Sequence, residues 1–207
     1  MQTADPVTPP LIFVSSTASP TVIADRIVSV VGYDSASLRV ALQAIGAAAV
    51  NQAIKATIIA IPELEAMGLQ VSWVPSFSTA NCTNGQRTAI RIDLATEPLL
   101  KPRASAAPTP NQDSTMLLVG RNTVPGSSAG SVAFTILDRL KSGEPLELYL
   151  QAIGAGAVNQ AVKVAIIAIN FLARSGLVAS WRPAFSRVEI SGDEKSVVQF
   201  HLTARKG

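Results

Sequence analysis

Side chains able to do covalent or acid–base chemistry are scarce in this sequence. It has one histidine, His201, and one cysteine, Cys82, whereas catalysis by a nucleophile, base or metal needs such groups held by partners. His201 sits between Phe200 and Leu202 in an alternating stretch, which reads as a solvent-facing strand position rather than a ligand or base. Cys82 falls in a loop, and a single cysteine forms no internal disulfide. There is no Walker loop, zinc-ligand spacing or paired-carboxylate motif. The expectation is a non-enzymatic protein with no metal and no cofactor.

What remains is recognition chemistry. Gly46, and Gly154 with Gly156, stand at turns that open helices, where free backbone N–H groups and the helix dipole can hold a phosphate. The same glycines also permit a tight turn and close packing, and no Gly-x-Gly-x-x-Gly occurs. Asn51, Gln52 and Lys55, with Asn159, Gln160 and Lys163, are the polar groups kept in both halves of the chain. Amides and ammonium groups of this kind can contact a nucleic-acid groove or backbone, and they can equally bond across a protein seam.

The segment that positions them is written twice. Gln43–Ile61 and Gln151–Ile169 are identical at 15 of 19 positions with a constant offset of 108. A repeat of this size means two copies of one domain, since solenoid periods run about 20–50 residues. At about 100° per residue, Val50, Ile54, Thr57, Ile58 and Ile61 share one helix face, while Asn51, Gln52 and Lys55 share another. Ile59, like Ile167 in the second copy, falls within that polar arc. Hence Asn51, Gln52, Ile59, Asn159, Gln160 and Ile167 are the candidate interface set.

Around this helix the pattern reads as tail 1–10, domain 11–96, linker 97–113 and domain 114–207. In the first copy, strand Leu11–Val14 precedes a helix from Val22 to about Val31 capped by Thr21. Strand Leu38–Leu42 and the signature helix follow, and Pro62 opens a further turn whose start suits Glu63 and Glu65. Strand Leu69–Phe77, an Asn84-Gly85 turn and strand Thr88–Thr96 close the domain. The second copy repeats the plan with strand Met116–Val119, helix Ala129–Lys141, strand Glu147–Leu150, the signature helix, strand Leu177–Phe185, a Gly192-Asp193 turn and strand Lys195–Ala204. The linker holds Pro98, Pro102, Pro108 and Pro110, and at roughly 3 Å per residue it can span up to ~50 Å.

Apolar residues make up 48% of the chain and charged residues only 15%, against a usual charged share of about 25%. Surplus apolar surface in small domains is expected to end in an interface. The polar residues of the signature helices break every apolar run well short of ~18 residues, so no membrane-spanning helix is expected. The N-terminus lacks a signal-peptide layout, and a cytoplasmic location is expected. Residues 1–96 carry five basic side chains against six acids, and residues 114–207 carry ten against six. A polyanion would therefore favour the second copy.

Gln-Ala-Ile-Gly-Ala-Gly-Ala-Val-Asn-Gln-Ala-Val-Lys at 151–163, with its twin at 43–55, resembles the signature of the stage V sporulation protein S family, small bacterial proteins with an Alba-like fold. The resemblance implies an α+β chain of tandem Alba-like β-α-β-α-β-β domains, each a four-stranded mixed sheet with two helices. It also implies self-association and classes the chain with DNA or RNA binders and developmental regulation. Alba proteins place basic residues through the strand-to-helix segment, where this chain has Gln43, Ile45, Ala47 and Gln52, which weakens attraction to phosphate. Of the Gly-Lys-Lys element after the first Alba strand, Gly120-Arg121-Asn122 keeps a part and Ser15-Ser16-Thr17 keeps none. The nucleic-acid candidates are Arg121, Arg187, Lys195, Arg87, Lys163 and Lys55, with Arg187 and Lys195 diluted by Glu189, Asp193 and Glu194. Two functions follow: a regulator that binds nucleic-acid backbone weakly, mainly through the second domain, or a structural module that self-assembles through its signature helices into a pseudo-dimer, oligomer or filament.

Overall fold

A computed structural model describes residues 9–33, 39–83, 85–98, 110, 114–143 and 147–207. Strand β1 (Leu11–Val14) leads into helix α1 (Pro20–Tyr33), strand β2 (Arg39–Ala44), helix α2 (Ala47–Ala66) and the long strands β3 (Leu69–Cys82) and β4 (Gly85–Pro98). The second half repeats this order as β5 (Thr115–Val119), α3 (Pro125–Ser142), β6 (Leu148–Ala152), α4 (Gly154–Arg174), β7 (Leu177–Ile190) and β8 (Asp193–Lys206). Tail residues 1–8, Asn84 of the expected turn, and 99–109 and 111–113 of the expected linker lie outside the described residues.

Alternation explains the strands. Ile12 and Val14 of β1, and Ile90, Ile92 and Leu94 of β4, point to the helices and are buried, as period-2 patterning on a half-covered sheet requires. β1 pairs parallel to β2, β2 antiparallel to β4, and β4 antiparallel to β3, with the same scheme in the second half. The two expected sheets are halves of one, in the order β1-β2-β4-β3-β7-β8-β6-β5. They join where Trp73 of β3 stands opposite Trp181 of β7.

Several boundaries differ from the sequence reading. α1 starts at Pro20, a position proline suits because its missing N–H has no helical partner there, so Thr21 lies inside the helix. α3 likewise starts at Pro125. Pro62 does not open a new turn, because α2 runs through it to Ala66. Ile58, Ile61 and Leu64 stay in phase on the core face around it and are buried, which offsets the ~3 kcal/mol that a mid-helix proline costs. The second hairpin turns at Ser191 (φ 55) and Gly192 (φ 84), one residue earlier than expected, with both central residues at the positive φ of a type I′ turn.

α4 (Gly154–Arg174) is long and apolar enough to cross a membrane by length and composition, which corrects the expectation drawn from its interrupted apolar runs; half of its most apolar stretch is buried inside the protein. Ala157, Val158, Ala161 and Val162 of α4 belong to the same buried cluster as their counterparts Ala49, Val50, Ala53 and Ile54 in α2. The two signature helices pack on each other, α2 reaches β7, and α4 reaches β3.

Candidate nucleic-acid interface

Arg121 sits in the loop after β5 and is exposed. The loop is a tight turn: the Thr123 N–H donates to the Gly120 carbonyl at 3.1 Å, and the Gly120 N–H donates to Thr123 Oγ1 at 2.9 Å. It is fastened to the first turns of α4 by the Gln160 side chain, whose Nε2 donates to the Arg121 carbonyl at 3.2 Å. Gly156 makes this approach possible, since a Cβ there would come within 3.0 Å of Arg121 Cβ. Gly154, at φ 82, supplies the left-handed turn from β6 into the helix.

Gly156, Gln160 and Lys163 follow one another at helical spacing, so the Arg121 loop and Lys163 lie on one stripe of α4. Gly156 and Lys163 are about 10 Å apart along the axis. Arg121 has no ion-pair partner among the described residues, and the half-buried Lys163 has none either. The stripe begins at a helix N-terminus, where the dipole favours an anion. The first half lacks the same build: Ala48 stands where Gly156 does, and Ser15-Ser16-Thr17 replaces the arginine loop.

The second hairpin is less available to phosphate than its basic residues imply. Arg187 Nη1 lies 3.3 Å from Glu194 Oε2, and Lys195 Nζ lies 3.1 Å from Asp193 Oδ2. Arg87 is exposed at the place in the first hairpin that Lys195 takes in the second. Lys55, Asn51, Gln52 and Ile59, with Asn159, Gln160 and Ile167, are all half-buried, and Ile59 and Ile167 pack against the shared core.

His201 is not solvent-facing. It is buried, stacked on the Tyr149 ring at a centroid distance of 4.7 Å, with Nε2 3.3 Å from Glu147 Oε2. The reason is strand order: β8 is an interior strand, and on the face away from the helices Tyr149 of β6 covers it. Burial, the hydrogen bond its hydroxyl donates to Glu147 and that residue's negative charge push the Tyr149 phenol well above its ordinary range. Cys82 is half-buried at the end of β3. Among the described residues no three His, Cys, Asp or Glu side chains are grouped to hold a metal.

The sequence reading missed the ion pair at the junction of the halves. Arg182 of β7 donates two hydrogen bonds to the Glu65 carboxylate at 2.5 and 2.9 Å, with side chains 19% and 9% exposed. Glu65 does not start a turn; it ends α2, where the dipole disfavours an acid and the guanidinium compensates. The signal was there to find, because the counterparts at offset 108 are Val74 and Ala173, so each charge occurs in one copy only. Trp73 also crosses the junction, its ring 5.7 Å from that of Phe200.

Fold and surface together define a tandem α+β protein: two like halves share one sheet, and one half alone presents a basic loop at a helix start. The family model for stage V sporulation protein S (SpoVS) matches residues 11–97 and again residues 116–205. The chain belongs to that family, as two tandem copies, and the family is a regulatory one related to sporulation.

Proposed function

We propose that this protein is a non-enzymatic regulator that binds the phosphate backbone of nucleic acid weakly through its second half. The observation that carries the reading is Arg121, held by the Gln160 bond and the Gly156 contact at the start of α4 and without an ion-pair partner among the described residues. Lys163 extends the contact along the helix. Arg187 and Lys195 add to it by exchanging their exposed carboxylate partners, pairs worth about 0–1 kcal/mol, for phosphate. Arg87 and Lys55 in the less basic first half contribute least. Such binding is backbone-directed and falls steeply with salt. Fluorescence anisotropy with labelled DNA and RNA at about 50 and about 200 mM salt tests this: binding that weakens with salt and drops in Arg121→Ala supports it, and no binding at the lower salt overturns it.

A second reading, self-assembly, has its own observation. Among the described residues the sheet ends in two edge strands, β1 and β5, which expose Phe13 (70%) and Leu118 (73%), and an edge strand is a template for a further strand. Particles far larger than one chain in light scattering without nucleic acid would favour it.

A further inference from the structure

The offset of 108 allows each contact across the junction to be set beside its counterpart. Where the first half gives Glu65 to Arg182 of the second, the counterparts at the same offset are the second half's Ala173 and the first half's Val74, neither of which carries a charge. The ion pair therefore exists once, and only between unlike halves. Gln70, Ser72 and Glu97 line a groove of about 410 Å³ together with their counterparts Val178, Ser180 and Arg205. Among the described residues Glu97 and Arg205 make no ion pair there and are both exposed, so the discrimination rests on Glu65 and Arg182, where the first half supplies the acid and the second half the base.

We propose that the junction is a pairing code, in which each half selects the unlike half rather than a second copy of itself. Two first halves joined the same way would leave Glu65 facing Val74 twice, with its carboxylate still buried. Two second halves would leave Arg182 facing Ala173 twice. An unpaired buried charge acts against the wrong partner, which is how specificity is built. Trp73 and Trp181 meet at the junction in either pairing, so these two rings supply contact area to like and unlike pairs alike, while Phe200, which Trp73 reaches, is Ile92 in the first half. The partner that fits either surface is thus the opposite half of this chain, its own or that of a second copy.

The test uses the whole chain carrying a protease site within residues 99–109, cut after purification, then mixed with an isotope-labelled, equally cut sample and read by native mass spectrometry. The comparison is Glu65→Ala with Arg182→Val, which places at each position the residue its counterpart already carries. The code predicts unlike pairs in the parent and at least about tenfold more like pairs in the double variant. The same composition in both overturns it. In the uncut chain, Glu65→Ala and Arg182→Val should be strongly non-additive in urea unfolding, and additive effects overturn the coupling on which the code rests.

Discussion

Cutting the Glu65–Arg182 pair from its two ends should have unequal effects. The Glu65 side chain is 9% exposed and short, and the Arg182 side chain is 19% exposed on a long stem. In Arg182→Ala the carboxylate stays buried at the C-terminal end of α2, against the helix dipole, with no cation. Breaking a buried pair in this way costs about 3–5 kcal/mol, and water entering the space left by the arginine lowers this to about 2–3 kcal/mol. In Glu65→Ala the guanidinium can swing its head to water along its apolar stem, so about 1 kcal/mol is expected. For a chain of this size a loss of 1 kcal/mol lowers Tm by about 2–4 °C, so Arg182→Ala should melt roughly 4–12 °C lower and Glu65→Ala only a few degrees lower. Urea and thermal unfolding read both. Equal losses, or a larger loss for Glu65→Ala, would refute the reasoning from burial.

Three further outcomes follow from single side chains. Because the Tyr149 phenol is held above its ordinary value near 10, it contributes stability that is complete below that pH and is lost as the pH rises toward the folded-state value. Alkaline unfolding should therefore flatten above about pH 10 in Tyr149→Phe. Gly156→Ala should leave stability within about 1 kcal/mol, since better helix propensity opposes the crowding, while the displaced Arg121 loop weakens nucleic-acid binding in anisotropy. Pro62→Ala restores a donor inside α2 and should stabilise the chain by about 1–3 kcal/mol in urea unfolding.

The repeat made much of the fold legible, because 15 of 19 matching positions tie the two halves to one plan and period-2 and helical patterns then mark the strands and helices. Proline was the main source of boundary errors. Pro20 and Pro125 start helices, whereas Pro62 lies within one because the packing of Leu64 outweighs a local breaker. The single sheet was not legible, since it rests on Trp73 meeting Trp181 across 108 residues and no local pattern encodes which edges meet. His201 was misread because alternation gives the face of a strand but not what lies on it, here Tyr149. At the candidate site Arg121 was visible as a basic loop residue. Its attachment through Gln160 and Gly156 was not, because those residues lie 39 and 35 positions away in sequence. The carboxylate partners of Arg187 and Lys195 were visible as neighbouring acids, but only the hairpin register brings Glu194 across to Arg187.

The most direct test of nucleic-acid binding through the α4 stripe is the slope of log binding constant against log salt for the parent chain and for Arg121→Ala with Lys163→Ala. Each phosphate contact contributes about 0.9 to that slope on duplex DNA and about 0.7 on a single strand. The account predicts a slope shallower by about 1.8 on duplex DNA and about 1.4 on a single strand in the double variant, with folding unchanged by circular dichroism. An unchanged slope, or no binding by the parent at low salt, would contradict it.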